Sequence, residues 1–359
     1  MEIDNKSNSA GNVSDNGHKR RKHYSGKYPK KFEEKYKEHN PEKYSDTISH
    51  VIEKGNTPAG MHISICVNEI LDFLDIVPGQ NGLDCTFGYG GHTRKMLEKL
   101  EGKGHIVALD VDPIESAKSK ERLEKAGFGD DILSVELINF ANIDEIAKKY
   151  GKFDFVLADL GVSSMQIDNP ERGFSYKVDG PLDLRMNPDK GKSAADILKE
   201  VSFEELVGML TTNADEPYAE KIANAIMTRN KRKEYIETTK DLRELIAGAL
   251  DFLPASEKKD AIAKSCQRSF QALRIDVNHE FEVLYELLEK LPSVLNEGGK
   301  VAILTFHSGE DRLVKKSFKS LYNDGIYSEY SRDVIKPSKE ECYCNPRAKC
   351  TKMRWAVKA

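Results

Sequence analysis

The feature that most restricts the fold of this chain is the glycine-rich turn Asp84-Cys-Thr-Phe-Gly-Tyr-Gly-Gly-His92. A short apolar segment, 82–86, overlaps its start, and 93–100 has the apolar spacing of a helix. A strand, a glycine turn and a helix in this order bring backbone N–H groups of an α/β sheet up to a nucleotide-sized ligand. A second apolar segment, 105–110, ends in Asp110, at the spacing of an acid that accepts from ribose hydroxyls. We therefore expect a nucleotide-type cofactor at this sheet edge.

The residues of the turn discriminate between two cofactor classes. Dinucleotide enzymes favour G-x-G-x-x-G, in which the third glycine allows close helix packing around a pyrophosphate. Here Gly88 and Gly90 supply the first two glycines, and Thr93 stands at the third position. Asp84 would repel a pyrophosphate, but it could accept a hydrogen bond from the ammonium group of an amino-acid-bearing cofactor. The turn therefore favours S-adenosylmethionine over NAD, and a purely structural turn is the alternative.

Composition excludes several classes of protein. The 359 residues suffice for roughly two domains, and a hydrophobic fraction of 39% supports a globular core. No segment has a signal-peptide pattern or the ~18 apolar residues of a membrane span, so we expect no membrane partner. The six cysteines are too scattered for a disulfide framework, which predicts a cytoplasmic protein. With a net charge of −4, nucleic-acid binding would depend on local basic patches.

Three kinds of region follow one another along the chain. Residues 1–50 are polar, with seven Lys or Arg in 18–31, and predict a basic, disordered extension that either binds RNA or is a solvated tail. Residues 55–176 alternate strand and helix patterns, which resume in 277–359. The predicted strands are 82–86, 105–110, 133–138, 153–159 and 300–306. Between the two parts, 177–276 has helix patterns only, so we predict an α/β, doubly wound, mostly parallel sheet with an inserted all-helical domain.

Two further polar clusters follow predicted strands. Asp159 ends the strand 153–159 and leads through Ser163, Ser164 and Gln166 toward the helical insertion. His307 follows the strand 300–306. Because the carboxyl ends of parallel strands share one sheet edge, we expect both clusters to reach the cleft beside the glycine turn. A histidine at this position is equally compatible with a structural hydrogen bond and with a functional role.

Taken together, these motifs resemble the RsmH (formerly MraW) family of S-adenosylmethionine-dependent N4-methyltransferases, which act on a cytidine in small-subunit ribosomal RNA. The similarity runs in order from about residue 60 to the end of the chain. It is carried by His62-Ile-Ser and by segments 84–94, 108–113, 159–166, 171–176, 179–186, 269–274, 277–278, 305–312 and 345–348. The resemblance implies a class I, Rossmann-like methyltransferase fold whose helical insertion recognises RNA. The implied target is a cytidine in the decoding region of 16S ribosomal RNA, met as free RNA or in the 30S particle.

The resemblance also implies roles for individual residues. Contacts to S-adenosylmethionine are expected from Gly90, Gly91, His92, Asp110, Phe140, Asp159 and Gln166. Asp110 would hold the ribose hydroxyls, and Phe140 would lie against the adenine. Asp84 and Gly88 would support the turn without contacting the cofactor.

The chemistry of an exocyclic amine suggests a catalytic hypothesis. Cytosine N4 is a poor nucleophile because its lone pair is delocalised into the ring. An acceptor that holds its N–H bonds would turn the lone pair toward the methyl group, and such alignment lowers the barrier. We predict Asp159, or the backbone carbonyls after it, as this acceptor, with His307 or Phe174 seating a base that has left its stack. Leu160-Gly-Val162 differs from the Asp/Asn/Ser-Pro-Pro-aromatic string of DNA amino-methyltransferases, so the alternative is that Asp159 serves only the cofactor.

Local positive charge indicates where RNA would bind. The candidate phosphate contacts are Arg229, Lys231, Arg232, Lys233, Lys264, Arg268 and Arg274. The alternative for each run is a solvated helix face.

No metal is predicted, because Cys342, Cys344 and Cys350 offer three sulfurs at C-x-C-x5-C spacing, whereas structural zinc takes four ligands at regular spacing.

Some residues depart from the family pattern. Gly309 stands at a usual leucine position, which predicts a looser loop after His307. Cys85 stands where the family usually has a small residue, mostly glycine. The segment before Asn345 is shorter than in many members. A divergent paralogue with another RNA, small-molecule or protein target is therefore an alternative, as is a ribosome-assembly factor with weak or no turnover. The sequence sets no oligomeric state, and a dimer is compatible with it.

Overall fold

Short apolar segments form a single sheet in the computed structural model, which describes residues 64–359. Its strands are β1 (Asn81–Asp84), β2 (His105–Asp110), β3 (Leu133–Leu137), β4 (Phe153–Asp159), β5 (Leu295–Thr305), β6 (Tyr327–Tyr330) and β7 (Lys352–Lys358). Their spatial order is β3-β2-β1-β4-β5-β7-β6. The first five strands are parallel, and β7 runs antiparallel between β5 and β6. The predicted mostly parallel, doubly wound sheet is confirmed.

The predicted N-terminal extension, residues 1–50 with its basic segment 18–31, lies outside the described residues, as does His62. The described helices are α1 (Val67–Leu74), α2 (Gly91–Leu100), α3 (Pro113–Lys125), α4 (Ile143–Tyr150), α5 (Ser164–Asp168), α6 (Ala194–Glu200), α7 (Phe203–Ala214), α8 (Ala219–Lys231), α9 (Thr239–Ala249), α10 (Ala255–Asn278), α11 (Glu280–Val294), α12 (Ser308–Asn323) and α13 (Lys339–Cys344). Within residues 64–359, no helix is long and apolar enough to cross a membrane.

Both faces of the sheet are buried, as expected for parallel strands. Along β4, Phe155 and Leu157 pack into one hydrophobic cluster with residues of α1 and α2. Val156 and Ala158 pack into a second cluster, on the other face, with residues of α4, α11 and α12. This alternation follows from the two-residue period of a strand. The sheet is therefore a rigid layer whose carboxyl edge can position side chains.

The helices α6 to α10 have a hydrophobic cluster of their own, which extends from Phe174 to Leu273. Capping boxes at Ser202 and Thr238 begin α7 and α9. Although a long helical segment separates β4 from β5 in sequence, these strands are neighbours in the sheet. We therefore retain 177–276 as the proposed inserted unit, with α10 continuing to Asn278.

The position of the functional site follows from the strand order. From β1 the chain winds outward to β2 and β3 and then returns to β4 on the other side of β1. Ligands of open α/β sheets bind at the carboxyl ends of the strands at such a reversal. The glycine turn after β1, Asp110 at the end of β2 and Asp159 at the end of β4 all lie at this edge.

Candidate active site at the carboxyl edge of the sheet

The glycine turn adopts a backbone conformation that favours glycine. Gly88 has φ of 46° and Gly90, which caps α2, has φ of 71°. A Cβ on Gly90 would lie 3.1 Å from the Phe87 ring and 3.2 Å from Leu123. The Gly88 N–H donates to Asp110 Oδ2 at 2.8 Å. The turn is therefore held in place by the neighbouring strand.

Asp84 is hydrogen-bonded to residues on both sides of the turn. Its Oδ2 accepts from the Thr93 hydroxyl at 2.6 Å, and its Oδ1 accepts from the Thr86 N–H at 3.0 Å. The Thr86 hydroxyl oxygen in turn accepts from the Asp159 N–H at 2.7 Å. Burial raises the pKa of Asp84. Asp84 does not line the cavity, so its position fits support of the turn and not direct contact with an ammonium group.

Asp110 faces the cavity with both oxygens held from behind. Oδ2 accepts from Gly88 and Oδ1 accepts from the Asp112 N–H at 2.8 Å. Burial raises the pKa of Asp110 to about 6, so the carboxylate is ionised at neutral pH. Each oxygen retains lone pairs for further donors, as a carboxylate that binds a ribose diol requires.

Asp159 and His92 form a close pair on the opposite side of the turn. His92 Nε2 lies 2.9 Å from the Ile65 carbonyl oxygen, and because a carbonyl only accepts, Nε2 carries a proton. His92 Nδ1 lies 3.5 Å from Asp159 Oδ2. Within residues 64–359, the buried Asp159 Oδ1 has no hydrogen-bond partner. Burial raises the pKa of Asp159 to about 6, against the favourable charge of His92. This pair leaves one acceptor open at the cavity wall.

The lining of the cavity also includes an arginine–glutamate pair. Arg274 of α10 donates through Nε to Glu280 Oε1 at 2.7 Å and through Nη2 to Glu280 Oε2 at 2.8 Å. The two side chains are 17% and 9% exposed, and both residues line the cavity. No hydrogen bond of Arg274 Nη1 to the described part of the chain is present. Two-point pairing of this kind fixes the plane of a guanidinium.

Glu310 and His307 brace the loop after β5. Glu310 Oε2 accepts from the Phe306 N–H at 2.8 Å, and His307 Nδ1 accepts from the Glu310 N–H at 3.4 Å, which caps α12. Burial alone would raise the pKa of Glu310, but the His307 side chain and the charge of Arg274 hold it below its usual value. A Cβ on Gly309 would lie 2.7 Å from the Phe281 ring. The predicted loosening at Gly309 is therefore wrong, because Phe281 fills the space of the missing side chain.

A buried ionic strut connects the cofactor edge to the helical segment. Arg172 donates through Nη1 to Asp112 Oδ2 at 2.7 Å and through Nη2 to the Met186 carbonyl oxygen at 2.7 Å. The Met186 N–H donates to Asn278 Oδ1 at 2.7 Å. Gln166 Nε2 also donates to Asp112 Oδ2, at 2.9 Å. The end of β2, the loop before α6 and the end of α10 are thus held as one unit.

These elements enclose one cavity of about 530 Å³, which extends from the glycine turn to α10. A family model described as the MraW methylase family matches residues 59–359. The chain belongs to this family. It is 70% identical over 342 residues to ribosomal RNA small subunit methyltransferase H 1 of Agathobacter rectalis, across 95% of this chain and 98% of that protein. It is 37% identical over 316 residues to ribosomal RNA small subunit methyltransferase H of Clostridioides difficile, across 83% of this chain and 98% of that protein.

Solved structures are more distant from this MraW methylase. An rRNA methylase from Streptococcus thermophilus matches with a TM-score of 0.38 and 13% identity, over 83% of this chain and 98% of that one. A similarity at this level supports no inference about the site.

The cofactor of this MraW methylase is S-adenosylmethionine, and the residues at the cavity fit it. Asp110 offers free carboxylate lone pairs suited to a ribose, and Phe140 offers a ring at the cavity wall suited to an adenine. The unpartnered Asp159 Oδ1 suits an ammonium or amine donor. The glycine conformations leave the backbone of the turn open to close approach.

The structure brings most of the predicted cofactor residues to one cavity. Those that line it are Gly88, Gly91, His92, Asp110, Phe140, Asp159 and Gln166. Gly90 and Asp84 are not part of the lining. Both polar atoms of the Gln166 side chain are engaged, Nε2 with Asp112 and Oε1 with the Ser163 N–H. Gln166 therefore presents its flank to the cavity while its amide shapes the loop.

The three predicted catalytic residues are placed differently from one another. Asp159 lines the cavity, whereas His307 and Phe174 do not. Phe174 is buried in the helical cluster, with the Arg172 guanidinium 5.8 Å from its ring centroid. His307 caps α12 and packs edge-on against Phe281 at 5.7 Å. Direct seating of a base by Phe174 or His307 gains no support from these positions.

The predicted RNA-binding residues lie on two helices and differ in their exposure. Lys231, Arg232 and Lys233 are exposed at the end of α8, and Arg229 of the same helix is half-buried. On α10, Lys264 is exposed and Arg268 is half-buried. Arg274, by contrast, lies in the cavity wall, where its charge is neutralised by Glu280. A phosphate contact by Arg274 would have to displace that pairing.

The sequence analysis did not predict several side chains that make specific hydrogen bonds at the site. They are Asp112, Arg172, Asn278, Glu280 and Glu310. The signal available was that each lies in or beside a family-like string. Cys342, Cys344 and Cys350 are free thiols and form no shared metal-ligand group within residues 64–359. Glu280, His307 and Glu310 lie close enough to share an ion, but Glu280 already binds Arg274 and His307 Nδ1 already caps α12.

Proposed function

We propose that this chain transfers a methyl group from S-adenosylmethionine to the N4 amine of a cytidine in the decoding region of small-subunit ribosomal RNA. The names of its relatives support ribosomal RNA of the small subunit as the substrate. The observation that supports an exocyclic amine is the unpartnered, buried Asp159 Oδ1 at the cavity wall. An amine hydrogen is the donor that this acceptor lacks.

In this proposal the cofactor lies along the edge formed by β1, β2 and β4. Asp110 accepts from the ribose hydroxyls, Phe140 packs against the adenine, and Gly90, Gly91 and His92 hold the methionine end. Gly88 and Asp84 keep the turn in place through Asp110 and Thr93. S-adenosylmethionine supplies an electrophilic methyl group on a positively charged sulfur.

The role of Asp159 follows from what the amine needs. Oδ1 accepts one N4–H bond, which orients the nitrogen and favours attack by its lone pair. The amine loses one proton when its new N–C bond forms, and Asp159 is the acceptor placed to receive it. With its pKa raised by burial to about 6, the carboxyl is ionised at pH 7 and basic enough to take up a proton.

We further propose that residues 177–276 recognise the RNA. The exposed basic side chains at the end of α8 would contact phosphates, and the α10 wall would meet the target base. The strut from Arg172 to Asp112 and Met186 would keep the two surfaces in register. The free thiols of the described cysteines are compatible with a reducing cytoplasm.

Nucleoside mass spectrometry of small-subunit RNA, from cells with and without this protein, tests the proposal. We expect N4-methylcytidine at one decoding-region position to disappear in its absence and to return with the wild-type gene. An unchanged nucleoside profile would refute the proposal. Cofactor binding by the pure protein without methyl transfer to small subunits would instead favour an assembly factor.

A further inference from the structure

One atom of the substrate-side wall is a donor without a partner. Glu280 holds Arg274 through Nε and Nη2, at 2.7 and 2.8 Å, and leaves Nη1 unbonded within residues 64–359. The pair is largely buried, and both residues line the cavity. Arg274 and Glu280 together carry no net charge to attract a phosphate, yet the free N–H bonds of the guanidinium remain directional donors.

A residue with a donor and a residue with an acceptor thus line the same cavity. Asp159 Oδ1 is the unpartnered acceptor and Arg274 Nη1 is the unpartnered donor among the described residues. Glu310 also lines this cavity, and its charge acts on both Asp159 and Arg274. Glu310 Oε2 is occupied by backbone N–H groups, so it holds the wall and does not compete for the base.

This pattern matches the base-pairing edge of cytosine. Cytosine presents the N4 amine as donor beside N3 as acceptor, whereas uracil presents an O4 acceptor beside an N3–H donor. A uracil would set its O4 against the Asp159 carboxylate and its N3–H against the guanidinium. A buried polar group left unpaired in this way costs more than a made hydrogen bond gains.

We infer that Arg274, held in place by Glu280, recognises the target cytosine by donating from Nη1 to its N3 acceptor. The assignment rests on the proposed function, because it requires the target base to enter this cavity. It replaces the phosphate contact expected of Arg274 from the sequence. Arg274 is thereby a specificity-determining residue, and Glu280 is the residue that positions it.

The test combines an enzyme variant with a change of one atom in the base. Small subunits are reconstituted with RNA carrying either cytidine or 3-deazacytidine at the target position, and kcat/KM is measured for wild type and Arg274→Met. On cytidine we expect wild type to exceed Arg274→Met about 10- to 100-fold, the range of one charged hydrogen bond. On 3-deazacytidine, which lacks the N3 acceptor, we expect the two enzymes to differ by less than about threefold. Replacing N3 also changes the reactivity of the amine, but this change cancels in the ratio of wild-type to variant kcat/KM on the same RNA.

Equal ratios on the two RNAs would overturn the inference while leaving the proposed function intact. Wild type that makes no N4-methylcytidine at all would contradict the proposed function itself. Arg274→Lys and Glu280→Gln are measured on the same two RNAs. Both substitutions nearly conserve side-chain volume, and both remove the paired hydrogen bonds that hold Arg274 with Nη1 free. If Arg274→Met does not fold, the Arg274→Lys ratios decide in the same way. Lys259→Met, an exposed change on the same helix, should give ratios near one on both RNAs.

Discussion

The two sides of the cavity are built on opposite plans. On the cofactor side, the side chains of Asp84, Asp110 and Asp112 all accept hydrogen bonds from the protein's own N–H or hydroxyl groups. On the substrate side, Asp159 Oδ1 and Arg274 Nη1 have no partner within the described residues. Buried polar atoms normally find partners, so the buried, unpartnered Asp159 Oδ1 marks where a ligand would complete the network.

In the proposed function, this difference lets one fold serve two ligands. A cofactor that is the same in every turnover can be met by a surface whose geometry is fixed by backbone hydrogen bonds. A base that enters from RNA must be discriminated, and discrimination is strongest where the wrong base leaves buried groups unpaired. The cofactor side therefore supplies precision of placement, and the substrate side supplies selectivity.

The largest effect is expected from removing the orphaned acceptor. With saturating S-adenosylmethionine, Asp159→Ala should lower kcat for small-subunit methylation about 10³-fold, the middle of the range for acid–base groups. Asp110→Ala is the comparison from the cofactor side. It should raise the Kd for S-adenosylmethionine, measured by calorimetry, and regain turnover when the cofactor is saturating. Full methylation by Asp159→Ala would show that Asp159 does not serve the amine, and an unchanged Kd for S-adenosylmethionine would show that it does not serve the cofactor.

The strut between the two sides should be the next most sensitive point. Arg172→Met removes a guanidinium that is 9% exposed and leaves Asp112 partly uncompensated. We expect the free energy of unfolding to fall by about 3 kcal/mol, measured in urea, as for other broken buried pairs. Arg185→Met is the matched control, because Arg185 pairs with Asp183 where both are partly exposed. It should cost less than about 1 kcal/mol. Equal losses would mean that the strut is no stronger than a surface pair.

The sequence predicts one side of the cavity better than the other. The glycine turn, Asp84 and Asp110 are carried by one strand–turn–helix unit and the next strand, so local pattern predicts them together. The pairing of Arg274 with Glu280 depends on the turn between two helices, at His279 with φ of 52°. The approach of Glu310 to Asp159 depends on β4 and β5 becoming neighbours across the helical segment. Such contacts exist only once the chain has folded.

Two particular residues show where local reasoning fails. Gly309 predicts a loose loop when read by itself, yet the ring of Phe281, from the preceding helix, fills its space. The sequence predicts a phosphate contact for Arg274 because it is basic, yet Glu280, six residues later, balances its charge and fixes its orientation. In both cases the deciding neighbour is a side chain whose position the sequence pattern does not reveal.

A moderate effect is expected outside the cavity, where neither side of the comparison is involved. Lys231, Arg232 and Lys233 are exposed and have no ion pair within residues 64–359. Changing all three to Gln should weaken small-subunit binding tens of fold and reduce the salt slope of binding by about 1 for each phosphate that is no longer neutralised. The Kd for S-adenosylmethionine should not change. Neutralising the ion-paired Lys118, Lys120 and Lys125 of α3 is the charge-matched control. An equal slope for both variants would exclude the α8 patch as an RNA-binding surface.

A dependence on pH is also expected, and the choice of assay separates the contributions of Asp159 and Asp110. Asp159 faces His92, Asp84 and Glu310, and its pKa is raised by burial to about 6, so kcat should fall about tenfold for each pH unit below 6. The pKa of Asp110 is also about 6, so the affinity for S-adenosylmethionine should weaken over the same range. Single-turnover rates at saturating cofactor isolate the Asp159 step.

The same carboxyl makes a prediction about stability with the opposite sign. Because the pKa of Asp159 is higher in the folded than in the unfolded chain, folding takes up a proton between about pH 4 and 6. Its contribution is therefore favourable at low pH and is lost as the pH rises through 6. Asp159→Asn should stabilise the cofactor-free protein by about 1–2 kcal/mol at pH 8 and by little at pH 4. If Asp159→Asn raised the free energy of unfolding equally at both pH values, burial of the charged carboxylate would not be the cause of the destabilisation.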